Sequence, residues 1–203
     1  MKIICIGRNY QDHINELKNA IPDKPLFFMK PDTALLPKRT PFYIPDFTKD
    51  LHYECELVVR ICKVGKNISE KFANTYYEEI GIGIDFTARD LQEECKQKSQ
   101  PWEIAKAFDN SAPISEKFIH KSELDLSNIQ FELKKNGVIV QQGNSKQMIF
   151  SIDKIIAYVS QFITLKIGDL IFTGTPAGVG KVEIGDTLVA SIENQELLKL
   201  NIK

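Results

Sequence analysis

The chain has 203 residues, 43% of them hydrophobic and 26% charged, the proportions of a globular protein long enough to bury a core without disulfides. With 26 Lys+Arg against 27 Asp+Glu, the formal net charge is −1, which excludes the basic footprint of a nucleic-acid binder. No apolar run approaches the roughly 18 residues of a membrane-spanning helix, and the opening Ile3-Ile4-Cys5-Ile6 is too short for a secretory signal.

Cys5, Cys55, Cys62 and Cys95 follow no paired or metal-binding spacing, so reduced thiols in a cytoplasmic enzyme are expected. No repeat or linker divides the chain, and one domain over 1–203 is expected.

Residues 2–6 read as an opening strand. The stretch from Ile21 to Phe47 carries six of the nine prolines and predicts an irregular segment with one short strand over Leu26–Met29. Leu51–Ile61 alternates as a single strand: Leu51, Tyr53, Cys55, Leu57, Val59 and Ile61 share one face, and His52, Glu54, Glu56, Val58 and Arg60 the other. Ser69–Tyr77 predicts a helix capped by Ser69, with Phe72, Ala73, Tyr76 and Tyr77 as its apolar stripe. Gly81–Phe86 reads as a short strand. Thr87–Lys98 then reads as a helix opened by a capping-box spacing between Thr87 and Asp90. Ile129, Phe131 and Leu133 alternate into the turn Asn136-Gly137 and a return strand over Val138–Val140. Ser151 caps a helix bearing Ile152, Ile155, Ile156, Val159 and Phe162. Leu170–Thr173, Thr187–Ile192 and Leu197–Ile202 are strands, two of them opened by the echo Ile-Gly-Asp at 167–169 and 184–186. Strands dominate and no βαβ alternation appears, so the class is α+β.

Several residues bear chemistry. Glu54 and Glu56 stand two apart, so in a strand both carboxylates point one way and reach a common hard cation. The same spacing occurs on the polar face of any half-buried strand. Asp85, at the end of a glycine-containing strand, adds a third carboxylate, or else is a turn residue. Three carboxylates without His or Cys suit Mg²⁺, Mn²⁺ or Ca²⁺. Alanine at any of the three is expected to abolish metal-dependent turnover and leave the fold intact, because they lie off the apolar face. Arg89 and Gln92, three apart on a helix, either hold a carboxylate or are solvated surface. His13 and Glu16 stand one helical turn apart, as a base and its orienting carboxylate or as a surface pair. His52 is the other candidate base. Lys30 and Lys106 lie among apolar neighbours and either contact an anion or extend to solvent. The run Gly174–Gly180 lacks a P-loop ending and predicts only a sharp turn after a strand.

In order along the chain, Gly7-Arg8-Asn9-Tyr10…His13…Glu16, Lys30-Pro31, Glu54-Cys55-Glu56-Leu57, Asp85-Phe86-Thr87-Ala88-Arg89-Asp90-Leu91-Gln92, Pro101-Trp102…Lys106 and Thr173-Gly174-Thr175-Pro176-Ala177-Gly178-Val179-Gly180 resemble the fumarylacetoacetate hydrolase family, in its small acylpyruvase/oxaloacetate decarboxylase branch. Cys55 stands where relatives carry an aliphatic residue, and Ile84 where many carry Asn. The resemblance implies a mixed β-sheet roll with a few peripheral helices, a homodimer, and Mg²⁺ or Mn²⁺ held by Glu54, Glu56 and Asp85. It places His13 and Glu16 as the water-activating dyad on a segment that closes over substrate, with few apolar residues to pin it. Lys106 falls on a catalytic position, and Arg89, Gln92, Thr175 and Lys30 on substrate-contacting ones. The implied reaction is hydrolysis of acylpyruvates to pyruvate and a carboxylic acid, with decarboxylation of oxaloacetate at the same site. The alternatives are a 2-oxo acid isomerase or tautomerase of the same family, and a non-catalytic metal- or ligand-binding domain. Small 2-oxo acids, and neither nucleic acid nor membrane, are the expected partners.

Overall fold

The computed structural model describes residues 1–16 and 20–203. In chain order its elements are β1 (Ile3–Gly7), α1 (Gln11–Glu16), β2 (Leu26–Lys30), β3 (Leu51–Tyr53), β4 (Cys55–Ile61), α2 (Glu70–Ala73), β5 (Tyr77–Ile84), β6 (Thr87–Ala88), α3 (Arg89–Gln97), α4 (Glu103–Lys106), β7 (Ile119–His120), β8 (Gln130–Lys135), β9 (Val138–Asn144), α5 (Ile152–Val159), β10 (Leu170–Phe172), β11 (Gly180–Lys181), β12 (Thr187–Ile192) and β13 (Gln195–Asn201). They form three sheets, of order β2-β1-β10-β4-β5-β7, β11-β3-β6 and β13-β12-β8-β9. The class is α+β, as the pattern of elements predicts. Strand pairing is antiparallel except between β1 and β10, which run parallel.

The six-stranded sheet is covered on both faces. One large buried cluster joins it to the four-stranded sheet, with Leu57, Val59 and Ile82 in the same core as Leu133, Leu188 and Ala190. Ile155, Ile156 and Val159 of α5 close that core. Ile3, Cys5, Val58, Leu170 and Phe172 fill the opposite face. Val58, the apolar residue on the polar face of the predicted strand, is therefore packed rather than misplaced. Central strands buried on both sides lose the clean alternation of a half-exposed sheet.

Five local expectations change. Leu51–Ile61 is two strands, broken at Glu54: β3 pairs with β11 and β6, whereas β4 pairs with β10 and β5. The helix predicted over Ser69–Tyr77 is only the four residues of α2. Phe72 is 55% exposed, and Tyr77 opens β5; the apolar pattern there belongs to a strand that follows a turn. The expected strand over Gly81–Phe86 is the second half of β5, which ends at Ile84. The helix predicted from Thr87 starts at Arg89 without a side-chain cap. Thr87 forms β6 with Ala88, and Asp90 instead accepts from Thr48 Oγ1 at 2.6 Å and Lys49 N at 2.8 Å. Phe162 lies beyond the end of α5 and is 56% exposed.

The two Ile-Gly-Asp echoes are one structure built twice. In each, the glycine takes a positive φ (Gly168 86°, Gly185 96°), and the Asp carboxylate accepts from the backbone three residues earlier, Lys166 N at 2.7 Å and Glu183 N at 2.8 Å. A positive φ carries no steric penalty for Gly.

Candidate metal centre and active site

The site forms where the chain leaves one sheet for another. Glu54 occupies the break between β3 and β4, Glu56 follows on β4, and Asp85 directly follows β5. The β4–β5 register pairs Cys55 with Ile84, and the Asp85 N–H donates to Glu54 O at 2.8 Å, which draws the three side chains together. One oxygen of each carboxylate lies within 4.8 Å of the others. All three residues are buried, at 5%, 2% and 1% exposure.

Buried carboxylates require compensating charge. Lys106 Nζ at the end of α4 donates to Glu54 Oε2 at 2.8 Å, Asp85 Oδ2 at 2.7 Å and Thr87 Oγ1 at 2.5 Å. Arg89 Nη2 donates to Glu54 Oε1 at 2.5 Å, and Nη1 to Gln92 Oε1 at 2.7 Å. Lys30 Nζ lies 2.7 Å from Asp85 Oδ1, bonded also to Ser111 Oγ at 2.9 Å and to the Lys106 carbonyl. Glu56 accepts the Gly174 N–H at 2.7 Å, its one hydrogen bond among the described residues.

The charge is unevenly shared. Burial pushes the Glu54 carboxyl up, but Lys106 and Arg89 outweigh it and hold the group far below the usual carboxylate range. Burial and the Asp85 and Glu54 charges push Glu56 well above that range. Burial opposes the Lys106 ammonium, yet Asp85 and Glu54 raise it above an ordinary lysine.

The donor set fits a hard divalent cation. It is all carboxylate oxygen, Glu56 is short of positive charge, and buried Asp85 Oδ1 has no hydrogen-bond partner, Lys30 lying outside hydrogen-bonding geometry.

A cavity of about 40 Å³ abuts the triad, lined by His13, Glu54, Glu56, Arg89, Gln92, Lys106 and Thr175 among others. His13 lies on α1, anchored by Ile14 at 1% exposure, so this segment has the apolar pin that its polar composition did not suggest. Glu16 Oε2 lies 3.3 Å from His13 Nδ1 and is itself fixed by the Gly178 N–H, 3.1 Å from Glu16 Oε1. Burial lowers the His13 pKa against the opposing effects of Glu54 and Glu16. A neutral imidazole donating Nδ1–H to Glu16 keeps its Nε2 lone pair free. His52, the other candidate base, pairs with Asp50 at 3.0 Å and is absent from the lining of this cavity.

The Gly174–Gly180 loop is more than a turn. Thr175 Oγ1 donates to Cys55 O at 2.9 Å and accepts from Gln141 Nε2 at 2.9 Å. Gln141 also accepts the Cys55 N–H at 2.9 Å and donates to Pro176 O at 2.9 Å, tying β9, β4 and the loop together. The sequence reading missed Gln141; its one visible sign is a Gln at an inward strand position. Lys30 lies apart from the other expected substrate contacts: its ammonium is wholly buried beside Asp85 and is not in the lining of this cavity.

Gly174 has φ 101°, and a Cβ there would lie 2.7 Å from Asn9 Cβ and 3.2 Å from Ile6 O. Gly174→Ala is expected to destabilise the protein by about 2–3 kcal/mol, or roughly 4–12 °C in Tm. Calorimetry checks this, and an unchanged Tm would show that the loop relaxes freely.

The family model for the fumarylacetoacetate hydrolase C-terminal region matches residues 2–202. The chain belongs to this family. Among fumarylacetoacetate hydrolase relatives it is 43% identical over 202 residues to the mitochondrial oxaloacetate tautomerase FAHD1 of Bos taurus, covering 99% of this chain and 91% of that protein. It is 43% identical over 193 residues to the mitochondrial oxaloacetate decarboxylase of Dictyostelium discoideum, covering 94% and 88%. The crystal structure of fumarylpyruvate hydrolase from Pseudomonas aeruginosa with Mn²⁺ and pyruvate superposes with a TM-score of 0.93 at 35% identity, covering 100% of this chain and 89% of that one. Among the described residues no helix is long and apolar enough to cross a membrane.

Proposed function

We propose that this chain is a divalent-metal-dependent enzyme acting on 2-oxo acids that carry a second carbonyl group, with oxaloacetate as its first substrate. One observation carries the reading: a Glu16-oriented His13 shares a small cavity with three converging carboxylates. A pure binding site needs no poised base. The motifs alone put acylpyruvate hydrolysis first. The relatives at 43% identity, named for tautomerisation and decarboxylation of oxaloacetate, move those two reactions ahead of it.

Glu54, Glu56 and Asp85 would hold Mg²⁺ or Mn²⁺. When bound, the cation supplies Lewis-acid stabilisation of charge developing on the 2-oxo oxygen. Arg89 and Gln92 grip the carboxylate and keto oxygens, and Thr175, whose hydroxyl hydrogen is committed to Cys55 O, lines the cavity beside them. In tautomerisation His13 Nε2 takes a proton from C3, the electron pair shifts to the C2 oxygen, and a proton from water there completes the enol, while Lys106, its three N–H bonds committed to Glu54, Asp85 and Thr87, offsets the negative charge beside it. In decarboxylation the C3–C4 bond breaks, CO₂ leaves, the bonding pair passes to the C2 oxygen as pyruvate enolate, and a proton from water at C3 gives pyruvate. The His13–Glu16 pair also favours the second reading, acylpyruvate hydrolysis, in which Nε2 takes a proton from water as its oxygen attacks the distal carbonyl. A homodimer in the cytoplasm belongs to the proposal; light scattering tests the dimer.

The deciding assay follows oxaloacetate keto–enol exchange, oxaloacetate decarboxylation and cleavage of acetylpyruvate and fumarylpyruvate side by side with Mg²⁺ or Mn²⁺. Turnover that survives chelation, or none with metal restored, would sink the reading. Arg89→Lys is expected to lower kcat/KM by about 10- to 100-fold, because a point charge cannot replace the guanidinium fork shared by Glu54, Gln92 and substrate. Wild-type kinetics in that variant would take Arg89 off the substrate.

A further inference from the structure

Two cations on the rim of this cavity have no work in the chemistry described so far. Arg8 and Lys96 both line it, and both are half-buried, whereas the carboxylates and Lys106 lie deeper. Every deeper cation is committed: Lys106 to Glu54 and Asp85, Arg89 to Glu54, Lys30 to Asp85. Among the described residues Arg8 makes no ion pair, and Lys96 has only the exposed Glu93 carboxylate at 3.9 Å. We propose that Arg8 and Lys96 form a second anion subsite, which takes the distal carboxylate of the 2-oxo acid and makes dianionic substrates preferred over monoanionic ones. The inference rests on the functional reading above and deepens it.

The local construction supports this. Lys96 lies four residues beyond Gln92 and seven beyond Arg89 on α3, so all three share one helix face and point their donors at one cavity. Arg8 sits at φ 59°, a left-handed conformation that disfavours every residue with a Cβ. The adjoining Asn9 holds it there: its buried side chain donates to Phe150 O at 3.0 Å and Thr173 O at 2.8 Å and accepts from Phe150 N at 2.8 Å. That backbone fixes where Arg8 leaves β1 and puts it on the rim of the cavity. Phe28 and Trp102, packed edge-to-face at 6.0 Å, form an apolar stretch of the lining that offers the distal group no competing base. Around the triad stand Arg8, Lys30, Arg89, Lys96 and Lys106 against Glu54, Glu56 and Asp85, an excess of positive charge before any divalent cation is counted. Burial, and then the Arg89 and Arg8 charges, lower the Lys96 pKa against the opposing pull of Glu93 and Glu54. A ligand with two carboxylates offsets that excess better than one with a single carboxylate.

The test uses the metal-loaded protein and two unreactive 2-hydroxy acids, L-malate with two carboxylates and L-lactate with one, titrated calorimetrically. Arg8→Gly suits the φ of that position, and Lys96→Met keeps the aliphatic stem, so each removes charge with little disturbance of the backbone. Lys98→Met, on the same helix but paired with exposed Glu94, is the control. Each rim variant is expected to weaken malate about tenfold or more, the scale of one lost charge-assisted hydrogen bond, while lactate changes far less. In turnover, KM for oxaloacetate should rise with little change in kcat. Parallel losses for malate and lactate, or a loss equal to that of Lys98→Met, would overturn the subsite. Should malate selectivity depend on Arg8 and Lys96 although oxaloacetate is not turned over, the subsite stands and the reaction assigned above fails.

Discussion

Asp85→Ala is expected to unfold the protein at markedly lower temperature as well as abolish its metal-dependent turnover. The motif reading placed Glu54, Glu56 and Asp85 off the apolar face and expected alanine there to spare the fold. All three are buried, and Asp85 faces two buried ammonium groups, Lys30 and Lys106. Removing one partner of a buried ion pair costs about 3–5 kcal/mol, or roughly 6–20 °C in Tm for a chain of this length. Glu56→Gln should differ. Glu56 has one backbone donor and is pushed above the normal carboxylate range, so a neutral replacement costs the metal-free protein little while still removing a ligand. Thermal unfolding with chelator present, beside turnover at saturating Mg²⁺, separates the two. Equal Tm losses would show that the lysines do not depend on Asp85, and full turnover by Glu56→Gln would remove Glu56 from the metal.

His13→Ala should divide the reactions from one another. Water attack on an acylpyruvate needs a positioned base, worth about 10²–10⁴-fold, and proton removal from C3 needs one too. Loss of CO₂ needs mainly an electron sink, so decarboxylation should fall least. The pH profile carries the same signature. Burial holds the His13 pKa below its ordinary value, so the acid limb of kcat/KM should lie below pH 6.5. The linked stability has the matching sign: the folded state binds the His13 proton more weakly than the unfolded chain, so the contribution is present above pH 6.5 and is lost as pH falls through the lowered value. Equal losses in all three reactions, or an acid limb unmoved in the variant, would take the role of base from His13.

Elements whose pattern is local were legible in the sequence. The β8–β9 hairpin follows from alternation around Asn136-Gly137, and α5 from Ser151, whose Oγ accepts from Lys154 N at 3.2 Å, with the isoleucines behind it. What failed depended on distant neighbours. Nothing near Glu54 announces that the strand changes sheets there; the break is fixed by Gln141, 86 residues away, which accepts the Cys55 N–H. The Thr87–Asp90 spacing matches a capping box, but Lys106 claims the threonine and Thr48 the aspartate. In the site, the carboxylates, the dyad and the cations were legible as an ordered set of motifs. Which cation touches the cavity was not, since Lys30 and Lys106 have similar apolar surroundings in sequence and only the packing puts one behind Asp85 and the other before it.

The parallel pairing of β1 with β10 bears on how the protein is made. Lys2 and Asp169, 167 residues apart, meet at the base of that pair, and between its two strands lies most of the chain. Closing so long a loop comes late and slowly, because its entropy must be lost before the contact is made. During synthesis β1 has no β10 beside it until the ribosome has passed Phe172, and the His13 segment meets Gly178 later still. Apolar β1 and β4, each lacking its central neighbour, are exposed until then, and that interval is when aggregation and chaperone capture compete with folding. A nascent chain arrested before residue 170 should therefore be protease-sensitive throughout, while one extended past 203 should become resistant in a single step.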